Sequence, residues 1–242
     1  MERLLYDTKY SKIMVYSEFS GFKEDIQPYL YSYANIKENC DNETDIDARV
    51  YIFKTDIKDC NRDIRINEQK NEIGVTINEW NRDNQLYIKR LLINLNNRVL
   101  ESKGVVFIHA SSVCYGNEGI MFIGDRGNGK TTNMIYMLEH EGMSYVSNDR
   151  TGLKLDEKTG EIIMMGIPSS INIRPGTIEQ NRTLKNKLSK ILAQKGYNDA
   201  LKYREATSMK SRMTFSIQEL KDNLEIEEKD VCRLRMYCTF RI

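Results

Sequence analysis

The run Gly124-Asp125-Arg126-Gly127-Asn128-Gly129-Lys130-Thr131-Thr132 constrains the fold of this 242-residue chain more than any other segment. It satisfies the pattern G-x-x-x-x-G-K-[ST] of a phosphate-binding loop (P-loop). Ile120, Met121, Phe122 and Ile123 precede it as a short, wholly apolar strand, the pattern of burial on both faces. After it, Met134, Ile135, Met137 and Leu138 recur at helical spacing, and Gly142 stops the helix. Strand, loop and helix in this order predict an α/β core. Each loop position has a task. Glycines allow backbone angles that turn successive N–H groups towards phosphate oxygens. The helix start adds unpaired N–H groups and the positive end of its dipole. Lys130 is expected to reach the β- and γ-phosphates of ATP, and Thr131 to offer its hydroxyl to Mg²⁺.

A second element of the site is read downstream. Residues 144–147 form a predicted strand that ends in Asn148-Asp149-Arg150. In open α/β sheets, ligands lie beyond the carboxyl ends of strands. Asp149 is therefore expected near the phosphates, as a Mg²⁺ ligand or as the base that takes a proton from an attacking hydroxyl. His109, at the end of a strand predicted over 105–110, has two readings: it orients a phosphate group, or it is a hydrogen-bonded histidine at the edge of the core. His140 lies near a helix C-terminus, where a cation is favoured, and receives no catalytic role.

Three segments together carry a resemblance: Ile108-His109-Ala110-Ser111-Ser112, the glycine-rich loop, and Ser147-Asn148-Asp149-Arg150. They resemble the HPr kinase/phosphorylase and PEP carboxykinase-like nucleotide-binding group. Gly166-Ile167-Pro168 and Ile173-Arg174-Pro175-Gly176 are similar to that group's downstream loops. The likeness spans about residues 104–178. It implies an α/β P-loop core behind a smaller β-rich N-terminal domain, with ATP and Mg²⁺ as cofactors. Gly124, Gly129, Lys130 and Thr131 would hold nucleotide and metal, Asp149 would act as metal ligand or general base, and Arg174 would face the phosphates. Asn148 departs from the family, which usually has Asp there; an Asn cannot deprotonate a serine. The C-terminal signature of true HPr kinases has no close match. The layout is closer to the smaller members that phosphorylate a serine of a precursor peptide. The resemblance thus implies a peptide or protein acceptor, and family members often form homo-oligomers.

The N-terminal third reads as β-rich. Residues 12–19 are a predicted strand, residues 25–34 are helix or loop, and Val50, Ile52 and Phe53 lie in a strand-like run. Ile64, Ile66, Ile73, Val75 and Ile77 alternate with polar residues around a polar turn, the mark of a hairpin. A helix is predicted over 85–101, from Leu86, Leu92, Leu95 and Val99, with Gly104 as its stop. The expected division is a β-rich domain over 1–84 and a kinase domain over 85–242. Further on, the pattern predicts a hairpin over 151–165, a short strand at 171–173, a basic helix over 177–195 and a helix at 217–224.

Charge and composition narrow the partners. Lys and Arg number 36 against 35 Asp and Glu, so no global field draws the chain to nucleic acid or anionic membrane. The basic stretch 185–195, with Lys202, Arg204, Lys210 and Arg212, is either a solvated face or a contact for an acidic peptide. Only Tyr197 and Tyr203 interleave it, too few aromatics for a nucleic-acid platform. Cys40, Cys60, Cys114, Cys232 and Cys238 form no Cys-x-x-Cys pair, which points to reduced thiols rather than zinc or a disulfide framework. No stretch approaches the roughly 20 apolar residues of a membrane span, and the N-terminus has no signal-peptide core. A cytoplasmic location is expected.

Overall fold

A computed structural model describes residues 1–8, 10–27, 35–38, 45–57, 62–167, 170–197 and 213–240. The chain is mixed α/β, with several sheets and, among the described residues, seven α-helices. It divides into two compact units, Met1–Gly104 and Val105–Ile242.

In the first unit, β1 (Glu2–Thr8) and β2 (Ser11–Ser17) form an antiparallel hairpin, and β3 (Asn35–Glu38) joins the outer edge of β1. Next to β2, in parallel, lies β4 (Ala48–Lys54), and β6 (Glu72–Ile77) is parallel to β4. The hairpin read from alternating isoleucines is present: β5 (Asp63–Asn67) pairs antiparallel with β6, and Glu68–Lys70 turns between them as a 3-10 helix. Period-two alternation places Val50, Ile52, Ile73, Val75 and Ile77 on one buried face. That face packs with α1 (Phe22–Ile26) and α2 (Arg82–Ser102), through Phe22, Ile26, Ile88, Leu92, Leu95 and Val99. Asn81 caps α2 by accepting from the Asn84 N–H at 3.0 Å. Trp80 packs on Phe19 and Phe22 and donates its indole N–H to Asp25 at 2.7 Å.

Two expectations change here. The units divide after Gly104 rather than after residue 84. The reason is the stripe of α2: its apolar side chains belong to the core of the first unit, so the helix goes with the sheet it covers. The segment expected as helix or loop over 25–34 yields α1, which ends at Ile26; residues 28–34 lie outside the described residues. β1, in contrast, carries little alternation in sequence and gains strand form through its pairing with β2 and β3.

The second unit is built on a seven-stranded sheet. Its strands are β7 (Val106–Ile108), β8 (Ala110–Tyr115), β9 (Glu118–Gly124), β10 (Ser144–Ser147), β11 (Thr151–Leu155), β12 (Ile162–Gly166) and β15 (Val231–Phe240). Their order is β10-β8-β9-β15-β12-β11-β7. β9 and β15 are parallel, and the remaining neighbours are antiparallel. A single residue, His109, separates β7 from β8. The apolar run of β9 lies between β8 and β15, with Met121 and Phe122 buried. Helix α3 (Lys130–His140) lies against β8, β9 and β10 and buries Met134, Ile135 and Leu138. Two short strands, β13 (Ile171–Ile173) and β14 (Met213–Phe215), form a separate antiparallel pair.

The helix expected over 177–195 is three short helices: α4 (Pro175–Gln180), α5 (Arg182–Lys187) and α6 (Ser189–Gln194). The break between the first two is at Asn181, whose extended backbone and side-chain acceptance from the Leu184 N–H start a new helix. Lys202, Tyr203, Arg204, Lys210 and Arg212 lie outside the described residues, as do Cys40 and Cys60. Helix α7 (Ile217–Leu224) begins with a capping box between Ser216 and Glu219. Cys114, Cys232 and Cys238 are free thiols. No helix among the described residues is long and apolar enough to cross a membrane.

Gly119 allows β12 and β15 to close on β9. A Cβ placed there would meet the side chain of Met164 on β12, Cys232 Sγ on β15 at 2.8 Å and the Arg233 carbonyl at 3.0 Å. Gly119→Ala should therefore lower the unfolding free energy by about 1–3 kcal/mol through overpacking. Urea denaturation measures this; an unchanged midpoint would show that the sheet yields here without cost.

Candidate phosphate-binding site

The loop leaves the top of β9 and enters α3, so the chain reverses around the helix N-terminus. The first amides of a helix have no partner within it and point outward from its start. Two neighbours hold the loop in place. On one side, β15 ends beside it: Phe240 pairs with Gly124, and Asn128 donates its side-chain N–H to the Phe240 carbonyl at 3.1 Å. On the other, the guanidinium of Arg174 lies over Gly127, where an added Cβ would be 3.4 Å from its nearest nitrogen. The Gly127 φ of +103° belongs to a region that side chains with a Cβ rarely adopt.

Lys130 is buried, at 7% exposure, and its ammonium folds back on the loop. It donates to the Gly124 carbonyl at 2.7 Å and the Asp125 carbonyl at 3.0 Å. Burial holds this ammonium below the usual lysine range; the Asp149 and Asp125 carboxylates oppose the shift, and the Arg174 cation adds to it. Four charged side chains therefore share one field at the loop. No ion pair to Arg174 occurs among the described residues.

Thr131, in the first turn of α3, donates its hydroxyl to Asn148 Oδ1 at 3.0 Å. Thr132, the last loop residue, shares a 2.9 Å hydrogen bond with Thr177 of α4. Asp125 and Arg126 are exposed at the tip of the loop.

Asp149 lies two residues beyond the end of β10. Its φ of +67° turns the chain sharply at the strand end, and its side chain is exposed. Its backbone carbonyl is 2.8 Å from His109 Nδ1. A carbonyl oxygen only accepts, so Nδ1 carries the proton of this bond. His109 thus ties the β7–β8 junction to the turn that follows β10.

Every residue singled out in sequence around the loop is in the second unit: Gly124 to Thr132, His109, Asp149 and Arg174. Lys130 senses the charges of Asp149 and Arg174, and His109 touches Asp149. Three participants were not singled out. Ser111 donates to Asn148 Oδ1 at 2.8 Å, Thr177 meets Thr132, and Phe240 flanks Gly124. Ser111 lies in β8, where Ala110 to Cys114 are all buried, so no alternation marked it. Phe240 and Thr177 are distant in sequence and carried no local signal.

The donor set restricts the metals the site could take. Among the described residues, no group of three or more His, Cys, Asp and Glu side chains is placed to hold a metal ion. Zinc-type and calcium-type cages need such groups. Magnesium does not: it keeps water and substrate phosphates and uses one or two protein oxygens. Thr131 and Asp149 fit that requirement. No protein-family profile matches the chain, and no curated protein matches it in sequence.

Gly127→Ala should cost about 1–2 kcal/mol of stability, because a Cβ is strained at this φ. Chemical denaturation measures the loss. A midpoint equal to that of the parent would mean that the loop relaxes to another backbone conformation.

Proposed function

We propose that the second unit is a Mg-ATP-dependent kinase of the HPr-kinase-like group. It transfers the γ-phosphate to a hydroxyl, most naturally a serine in a peptide or protein. One observation carries the reading: Lys130, Thr131, Asp149 and Arg174 converge on a glycine loop at a helix N-terminus, with two cations and one carboxylate in a common field. That is the charge pattern that phosphoryl transfer requires, because catalysis there is mostly positioning and neutralisation.

The chain's residues have separate tasks in this reading. Loop amides and the helix start hold the β- and γ-phosphates. Lys130 exchanges its carbonyl partners for phosphate oxygens. Arg174 reaches the loop from the far side and neutralises the transferred group. Thr131 and Asp149 would hold Mg²⁺, which would supply charge neutralisation when bound with ATP. Asp149 also orients the acceptor and takes the proton of its hydroxyl. The new bond forms between the acceptor oxygen and the γ-phosphorus, the bond to the bridging oxygen breaks, and ADP leaves. His109 orients the Asp149 turn through its carbonyl.

A second reading is a nucleotide-dependent binding module without transfer. Asn148 favours it, since an amide stands where the family's first acid would be. The two separate experimentally. Calorimetry with Mg-ATP should show binding that falls about ten- to hundredfold in Lys130→Ala, the loss of a charge-assisted contact. Asp149→Asn should keep most of the ATP affinity while transfer to serine peptides, read by mass spectrometry, falls about 10²–10⁴-fold. Full ATP affinity in Lys130→Ala would refute the kinase reading. Tight Mg-ATP binding with no transfer to any acceptor would leave the binding module.

A further inference from the structure

Asn148 is wholly buried, and its amide oxygen is shared by two hydroxyls. Thr131 donates to Oδ1 at 3.0 Å and Ser111 donates to it at 2.8 Å. A carbonyl oxygen has two lone pairs, so two donors fill it. A threonine hydroxyl has one hydrogen and two lone pairs. With the hydrogen committed to Asn148, both lone pairs of Thr131 remain for a group outside the protein. Three elements converge on this one rotor: Ser111 from β8, Asn148 from the end of β10 and Thr131 from the first turn of α3. Ser111 is itself buried, at 1% exposure, so the brace is shielded from competing water.

We propose that Asn148, braced by Ser111, is a positioning residue that holds the Thr131 hydroxyl in the orientation that ligates the Mg²⁺ of Mg-ATP. This rests on the reading of the loop as a Mg-ATP site. It changes the meaning of the amide at position 148. Asn148 is not a disabled base: its oxygen is turned to two protein hydroxyls in the interior. A neutral amide performs this task without the cost of an ionised carboxylate in a fully buried position. Outer partners of this kind tune a metal site although they do not touch the ion. Proton transfer then falls to Asp149, which is exposed where Asn148 is buried.

The test compares ATP affinity in Mg²⁺ with ATP affinity in EDTA, by calorimetry, for the parent, Asn148→Ala, Asn148→Asp and Ser111→Ala. Denaturant unfolding of each variant checks that it folds. Asn148→Ala should lose about ten- to hundredfold of its Mg-ATP affinity, while its affinity in EDTA moves by less than about twofold. Asn148→Asp keeps an acceptor oxygen at the Oδ1 position and, once shown to fold, should restore Mg-ATP binding to within about threefold of the parent. Ser111→Ala should lose about three- to fivefold, again only with Mg²⁺. An Asn148→Ala variant with unchanged Mg²⁺ dependence, or one that loses both affinities equally, overturns the positioning role. So does a folded Asn148→Asp variant as damaged as Asn148→Ala, since an acceptor oxygen at this position would then not suffice. Should Asn148→Ala fail to fold, unchanged Mg²⁺ dependence in Ser111→Ala overturns it. A parent protein that binds ATP in neither condition overturns the nucleotide reading itself, and the positioning role with it.

Discussion

Backbone amides bind an anion well when the backbone cannot move, because reorganisation cancels the gain from their dipoles. The loop between β9 and α3 is held on two sides. β15 brings Phe240 alongside Gly124 and accepts from Asn128, and Arg174 packs over Gly127. A Cβ on Gly124 would stand 3.0 Å from the Phe240 carbonyl, so packing is tight there, whereas at Gly127 it is the positive φ that favours glycine.

Charge at the site is balanced rather than uniform. Burial works against the Lys130 ammonium, and Asp125 and Asp149 work for it. Two loop carbonyls accept from this ammonium. Arg174 adds a second cation close enough to be felt by the first. A phosphate group placed between them would relieve that repulsion, so the two cations favour an anion more together than either does alone.

Neutral hydroxyl and amide groups carry the remaining connections. Asn148 joins α3, β8 and the end of β10 through Thr131 and Ser111, and Ser112 meets Thr151 at 3.0 Å in the next layer. The Ser111–Asn148 and Ser112–Thr151 bonds are buried and the Thr131–Asn148 bond is partly so, and in such places a satisfied polar contact fixes geometry and an unsatisfied one is costly. The sheet beneath them has its own core of Ala110, Cys114, Met121, Val146, Met164 and Cys232. The first unit solves a separate packing problem: a one-sided sheet and two helices that bury their apolar stripes together.

Local pattern was informative wherever one segment carries its own period or punctuation. The hairpin of β5 and β6, the strand–loop–helix of β9 and α3, and the capped helix α7 were all legible from spacing, glycine and turn residues. Lys130, Thr131 and Asp149 were singled out in the same way, because a motif and a strand end define their places within a short stretch. The helix expected over 177–195 and the boundary after residue 84 were not legible, since both depend on which core receives an apolar stripe. The sequence by itself determined the strand, glycine loop and helix over 118–140 and the residue types they can present. Only the tertiary structure decided that β15 lies beside β9, that Arg174 covers Gly127, and that Ser111 and Thr131 share the Asn148 oxygen. Those contacts join segments far apart in the chain, and their partners are chosen by burial and hydrogen-bond satisfaction, which no local periodicity records.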